Sequence, residues 1–296
     1  MSENSDKKED GFVNVNGLNL YYVRFGKGNR YKLLTLHGGP GGTHDYLLPL
    51  SDLAGQDFDI VFYDQFGCGK SDDPKNESDY SLEYAVEEVD GVRKALFGDD
   101  KVHLFGSSWG GMLALAYTLK HQDHLKSVTT SSGLASVSET VKEMHRLISQ
   151  LPDKEREAIE KHEADGDYSS PEYQEAAMYF MKKHLLRWDE WPREVADTME
   201  VMEKRGTYLK MNGPSEFTII GTIKDVDFKD DLHTIKIPAL ITCGRHDEVT
   251  PEIAKSIHDR IGGSQMEVFE NSAHMQFWEE RDKYLEVLSE FIRKND

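Results

Sequence analysis

Lys101-Val-His-Leu-Phe-Gly-Ser-Ser-Trp-Gly-Gly-Met-Leu-Ala-Leu115 is the stretch whose reading decides the fold. Val102, Leu104 and Phe105 form a short apolar run, Gly106, Ser108 and Gly110 follow at alternate positions, and Met112 to Leu119 is almost uniformly apolar. The pattern predicts a strand that stops abruptly, a sharp turn and a helix. A serine at such a turn takes a strained backbone conformation while its neighbours crowd together, and glycine relieves the crowding. The free N–H groups at the helix start then point at any charge that develops beside the serine. Ser108 is therefore the candidate nucleophile. The same spacing also occurs in plain Gly/Ser turns, so its weight comes from the sequence around it.

Upstream, Phe12-Val-Asn-Val and Leu18-Asn-Leu-Tyr-Tyr-Val flank Asn16-Gly17, a hairpin signal, and residues 1–10 are charged and expected to fray. Two further strands end in glycine-rich loops: Tyr31 to Leu36 runs into His37-Gly-Gly-Pro-Gly-Gly, and Asp59 to Tyr63 into Asp64-Gln-Phe-Gly-Cys-Gly-Lys-Ser. Neither loop has a phosphate-binding spacing, which argues against nucleotide binding. In serine hydrolases of this strand-turn-helix architecture, a backbone N–H from the first loop joins the N–H after the nucleophile to hold an oxyanion, which points to Gly39 and Trp109. A helix over Leu82 to Phe97 and a strand over Leu125 to Ser131 complete a βα alternation, the signature of a mostly parallel, doubly wound sheet.

After Gly133 about a hundred residues lack strand alternation. They carry helical runs at Val137–Gln150, Pro152–Ala164, Pro171–Leu186 and Pro192–Leu209. This predicts a helical cap over 134–235 inserted between late strands, dividing the core into 1–133 and 236–296 and roofing the strand ends where ligands bind. The sheet resumes at Pro238 to Cys243, with a helix at Pro251 to Ile261, a strand at Gln265 to Phe269 and a final helix at Glu279 to Lys294.

Serine needs a base within reach and a third group that orients the base, in the chain order Ser, acid, His. His274 comes after a late strand and precedes the last helix, whereas His258 sits inside a predicted helix; His274 is the base chosen. Asp247, in Arg245-His-Asp-Glu-Val-Thr-Pro, lies where a strand-end carboxylate orients that histidine, with the adjacent Glu248 as its competitor. No clustered Cys/His spacing or H-E-x-x-H suggests a metal. The formal charge of -19, from 35 Lys+Arg against 54 Asp+Glu, disfavours nucleic acid and anionic membranes. Two cysteines, no secretory segment and no long apolar run give a soluble cytoplasmic protein as the expectation.

Taken together, His37-Gly-Gly-Pro-Gly, Asp64-Gln-Phe-Gly-Cys-Gly-Lys-Ser, Gly106-Ser-Ser-Trp-Gly-Gly and the Asp247 and His274 loops resemble the proline iminopeptidases of the α/β-hydrolase superfamily. The resemblance runs nearly the full length. It is strongest to the archaeal tricorn-interacting-factor type and the lactic-acid-bacterial enzymes, including Met211-Asn-Gly-Pro-Ser-Glu-Phe in the insertion. It implies Ser108, Asp247 and His274 as the triad, Gly39 and Trp109 as the oxyanion hole, no cofactor, and Glu216 and Glu248 as carboxylates that hold a free α-amino group. Gly38 and Tyr208 complete the implied substrate-binding set, and Tyr208, Phe217 and Trp109 are expected to wall an apolar pocket. The substrates implied are short peptides with a free N-terminus, in functional cooperation with a larger protease. An exopeptidase must recognise a charged terminus, and paired acids in a desolvated pocket do so while rejecting internal segments. An epoxide hydrolase or dehalogenase would carry Asp at position 108. An esterase or aminoacyl amidase would keep the triad and stands as the alternative, with a non-catalytic binding module behind it.

Overall fold

A computed structural model describes residues 8–296. Strands β1 (Lys8–Val15) and β2 (Leu18–Phe25) form the expected hairpin, with Asn16 and Gly17 both at positive φ (54° and 80°) in a two-residue turn. Lys8 to Asp10, expected to fray, pair with Val23 to Phe25 instead, because alternate residues of β1 lie against the sheet. The remainder of the expected fraying segment, residues 1–7, lies outside the described residues.

The strands β3 (Tyr31–Leu36), β4 (Phe58–Tyr63), β5 (Val102–Ser107), β6 (Leu125–Ser131), β7 (Ala239–Gly244) and β8 (Gln265–Phe269) complete one sheet in the order β1-β2-β4-β3-β5-β6-β7-β8. Only the β1/β2 and β2/β4 pairs are antiparallel. Helices cover both faces, so alternate residues of each inner strand enter different cores. Leu34, Val61, Leu104 and Ile241 pack with α1 (Leu82–Phe97), α2 (Trp109–His121) and α8 (Pro251–His258). Leu33, Ile60, Phe105 and Leu240 pack with the 3-10 segment Asp45–Gln56 and α10 (Arg281–Lys294). Strands buried on both faces read as continuous apolar runs, which is why β4 is buried throughout.

Between β6 and β7 lie α3 (Val137–Ile148), α4 (Asp153–Asp165), α5 (Pro171–His184), α6 (Arg193–Arg205) and α7 (Thr207–Met211). The single run read over Pro192–Leu209 is two helices, because Gly206 takes a left-handed φ of 73° and ends the first. The insertion has its own small core, built on Leu147, Ile159, Tyr173, Phe180 and Phe217. The final helix begins as α9 (Gln276–Glu279) before α10. Cys68 and Cys243 are free and buried, and among the described residues no helix is long and apolar enough to cross a membrane.

The hairpin is tied to the sheet by one buried ion pair. Arg24 donates to both Asp59 oxygens at 2.7 Å, its third nitrogen reaches the Leu96 carbonyl at 3.1 Å, and the Gly28 N–H adds a bond to Asp59 at 2.8 Å. Removing one member of a buried pair leaves the other charge unmet, a cost of about 3–5 kcal/mol. Asp59→Ala should therefore lower stability by that amount, read as a reduced denaturant midpoint, without displacing any residue at the C-terminal edge of the sheet.

Candidate active site

The turn read from Gly106 to Gly110 forms as a close crossing of three backbones. A Cβ at Gly106 would lie 1.9 Å from the Gly110 carbonyl oxygen, and one at Gly110 would lie 2.2 Å from that of Leu36. With glycine at both positions, β5, α2 and the loop after β3 touch. Ser108 between them sits at φ 58°, ψ −123°, with its N–H bonded to the Ser131 carbonyl at 2.9 Å. Its hydroxyl faces a cavity shared by the loop after β3, the loops after β7 and β8, and the insertion.

Trp109 is the first residue of α2, so no carbonyl of the preceding turn is available to its amide. Among the described residues neither that amide nor the Gly39 amide donates to a protein acceptor, and both residues line the cavity beside Ser108. The Gly38 N–H does not face it freely, because the buried Tyr46 hydroxyl accepts from it at 2.6 Å. His37 and Gln65 lock this loop to the next: Gln65 donates its N–H to His37 Nε2 at 3.0 Å and its amide to the His37 carbonyl at 2.8 Å. Burial holds the His37 pKa down at about 4, so the ring stays neutral and able to accept.

His274 Nδ1 lies 2.7 Å from Asp247 Oδ1, and both side chains are buried. Asp247 is met by further donors: the Val249 N–H at 2.9 Å on Oδ1, and the Ser132 hydroxyl at 2.5 Å and the Gln276 amide at 3.3 Å on Oδ2. The Ser108 hydroxyl and the His274 ring line the same cavity, and among the described residues no hydrogen bond joins them. That contact is often loose in a serine hydrolase without substrate and tightens on binding.

Glu216 enters from the insertion on a turn held by its neighbours. The Asn212 amide bonds the Ser215 carbonyl at 2.9 Å, the Ser215 hydroxyl bonds Glu163 at 2.8 Å and also takes the Thr218 N–H at 3.0 Å, and Thr218 also bonds Glu163. The Tyr208 hydroxyl donates to Glu216 at 2.6 Å. Glu248 lies 3.8 Å from His274 Nδ1 through one oxygen, while its other oxygen is buried with no partner among the described residues. Burial pushes both glutamates up; at Glu248 the nearby His274 ring opposes the rise most, favouring the carboxylate when the ring is charged, while Glu216 and Asp247 add to it. At Glu216 the Tyr208 bond and His274 oppose the rise. Burial would depress His274, but Asp247 first and then Glu248 and Glu216 outweigh it and lift the ring to about 9.

The cavity has two lobes that meet at Gly39, Ser108, Glu216 and Glu248. One, of about 560 Å³ including its mouth, is walled by Met181, Leu185, Val195, Met199, Met202 and Met275. The other, of about 390 Å³, is walled by Trp109, Met112, Leu134, Met144, Ile219 and Ile223. Of the three aromatics expected to wall a pocket, only Trp109 does so next to Ser108. Phe217 packs on Phe180 (ring centroids 4.9 Å apart) in the core of the insertion, and Tyr208 contributes its hydroxyl to Glu216.

Tyr46, Gln65, Ser132 and Gln276 are the members of the site that spacing alone did not suggest. Ser132 carried a faint signal, as a polar residue directly after a strand, and it sits at a positive φ of 51°. Among the described residues one group of metal-ligating type, Asp90, His121 and His124, lies on α1, the far end of α2 and the turn after it. There Asp90 Oδ1 already accepts from Tyr117, Arg93 and the His124 ring. His258 ends α8 and bonds Ser264, away from the site.

Residues 31–281 match the family model described as alpha/beta hydrolase fold. The chain is 53% identical over 285 residues to a proline iminopeptidase of Saccharolobus solfataricus, covering 96% of this chain and 92% of that protein. It is 52% identical over 288 residues to a proline iminopeptidase of Thermoplasma volcanium, covering 97% of each. Among solved structures, a proline iminopeptidase of Mycobacterium smegmatis superposes with a TM-score of 0.91 at 30% identity, over 97% of this chain and 98% of that one. A protein named VinJ superposes with a TM-score of 0.93 at 33% identity, over 97% and 99%.

Losing a hydrogen bond to a charged group costs about 1.5–3 kcal/mol, or roughly 10- to 100-fold in a rate that depends on it. Ser132→Ala should slow the labelling of Ser108 by a fluorophosphonate probe by about that factor, measured by intact-mass spectrometry against time, with the fold retained.

Proposed function

The chain belongs to the proline iminopeptidase family of the alpha/beta hydrolase fold, and on that premise we propose how its site works. It is a hydrolase that releases N-terminal proline, or another small to medium apolar residue, from short peptides through an acyl-enzyme. Ser108 attacks the carbonyl carbon of the first residue while His274 Nε2 takes its proton. The imidazolium then gives that proton to the departing amine, and water repeats the sequence to free the acid. Asp247 orients His274 and stabilises its charge, and the Gly39 and Trp109 amides receive the tetrahedral oxyanion.

The observation that carries the reading is the pair Glu216 and Glu248 beside Ser108. Two carboxylates, Glu248 buried with an unmet oxygen and Glu216 half-buried, face a space whose other walls are mostly apolar. A substrate ammonium supplies what they lack, and a peptide without a free N-terminus leaves both charges unmatched. The Trp109, Leu134, Ile219 and Ile223 lobe takes the apolar first side chain, and the methionine-walled lobe takes the rest of the peptide. Residues 134–235 act as a cap that admits short peptides, the kind a larger protease releases. The free, buried Cys68 and Cys243 are in keeping with a reducing cytoplasm.

Ser108→Ala should abolish turnover of proline anilides above the uncatalysed rate. Glu216→Gln should lower kcat/KM for a free-amine anilide about 10- to 100-fold, the worth of a hydrogen bond to charge. The same variant should not slow hydrolysis of an N-blocked ester. Equal losses on both substrates would remove the amine-binding role of Glu216.

A further inference from the structure

Three carboxylates converge on one imidazole in this cavity, and among the described residues no lysine or arginine lines either lobe. Asp247 is committed to donors on both of its oxygens, His274 among them. Glu248 is committed to none on its buried oxygen and stands 3.8 Å from His274 Nδ1 with the other. Glu216, steadied by Tyr208, faces the same space from the insertion. An imidazole surrounded by buried negative charge is drawn to its protonated form, and a protonated ring cannot accept the Ser108 proton.

We propose that Glu216 and Glu248 hold His274 protonated, and so idle, in the empty site, and that the substrate's own ammonium, seated between the two glutamates, displaces that proton and switches the base on. The inference rests on the amine-binding reading above. Its proton balance is simple: the imidazolium loses its Nε2 proton to water, the arriving ammonium replaces that positive charge beside the carboxylates, and no covalent bond to carbon changes. Attack by Ser108 then passes its proton to the vacated Nε2. Specificity for a free N-terminus is thereby exercised on the chemical step as well as on binding.

The groups around His274 agree on the direction. Asp247 and Glu248 face it from the loop after β7, and Glu216 and the neutral Tyr208 from the insertion. Tyr46, on the opposite wall, is kept neutral by burial. On its own loop Glu279 accepts the Ala273 N–H, and the Arg187 guanidinium reaches only the Asn271 carbonyl. His184 and His246, behind Asp247, are both lowered by burial and bring no standing positive charge. The rise of His274 to about 9 is in keeping with this arrangement.

The test uses p-nitrophenyl acetate, which has no amino group, and pyrrolidine, an ammonium at neutral pH, with Ser108→Ala as the background. Pyrrolidine should accelerate enzymatic hydrolysis of the ester about tenfold through kcat, the gain expected when the base drops by one pKa unit. It should move the acid limb of the pH–rate profile to lower pH and compete with proline anilide. Glu248→Gln should mimic the acceleration and lose the response to pyrrolidine. Pyrrolidine that competes with the anilide while leaving ester hydrolysis unchanged or slower would overturn the switch and leave the amine site standing. Pyrrolidine that fails even to compete would overturn the amine site itself. The wild-type measurement decides even if Glu248→Gln does not fold.

Discussion

The approach of three backbones at the turn around Ser108 is the constraint on which the site depends. With no Cβ at Gly106 or Gly110, the start of α2 lies directly against Gly106 of β5 on one side and the Leu36 carbonyl on the other. Any added atom would lift the helix, and the Trp109 amide with it. The serine itself is held at positive φ, a conformation that costs about 1–3 kcal/mol and persists only where the surroundings leave no alternative. Here the surroundings are the fully buried β5 and its neighbour β6, to which the Ser108 N–H is bonded at Ser131. Relaxation toward ordinary helical angles would break that bond and turn the hydroxyl away from the cavity.

The second determinant is electrostatic, and Asp247 and Glu248 show how sharply a fold differentiates one functional group. They are chain neighbours and both are buried. Side chains one residue apart leave the backbone in different directions, so Asp247 points into a nest of donors from the residue after β6 and the start of α9. Glu248 points into the cavity, where one oxygen lies 3.8 Å from His274 and the other has no partner among the described residues. A carboxylate with its lone pairs filled is suited to orient an imidazole, and one left unmet is suited to a visiting cation. The low dielectric that makes the second costly in the empty protein is what makes it selective.

The parts of the molecule that are legible in the sequence are those governed by short-range forces. The elbow, the Asn16-Gly17 hairpin, the buried strands and the positions of Ser108, Asp247 and His274 are written in short spacings, because steric strain and strand periodicity act over a few residues. Glu216 has no such local signature and emerged only through its resemblance to a family motif. Tyr46, Ser132 and Gln276 stayed hidden because each acts on a partner brought near by the sheet, not by the chain. Phe217 is a mixed case: its ring packs on Phe180 in the insertion, and the cavity that it lines with Tyr208 and Glu216 lies farther out than Ser108. The run over Pro192–Leu209 breaks at Gly206, which the sequence does not reveal because a tolerated interior glycine and a helix-ending one look alike in it.

The two halves of the molecule carry different burdens. Of the groups proposed to do chemistry, Ser108 and Asp247 follow β5 and β7, inner strands buried throughout, and so inherit their geometry from the most rigid part of the fold, whereas His274 follows the half-buried edge strand β8 and is held through Asp247. The insertion supplies much of the lining of the two lobes, mostly methionine, leucine and isoleucine, and among the described residues its one charged contribution to them is Glu216. Methionine side chains repack around differently shaped apolar groups at small cost, while a carboxylate fixed by Tyr208 does not move with them. On the proposed reading the site is therefore exacting about charge at one end of the substrate and accommodating about shape beyond it, a division set by which element supplies each wall.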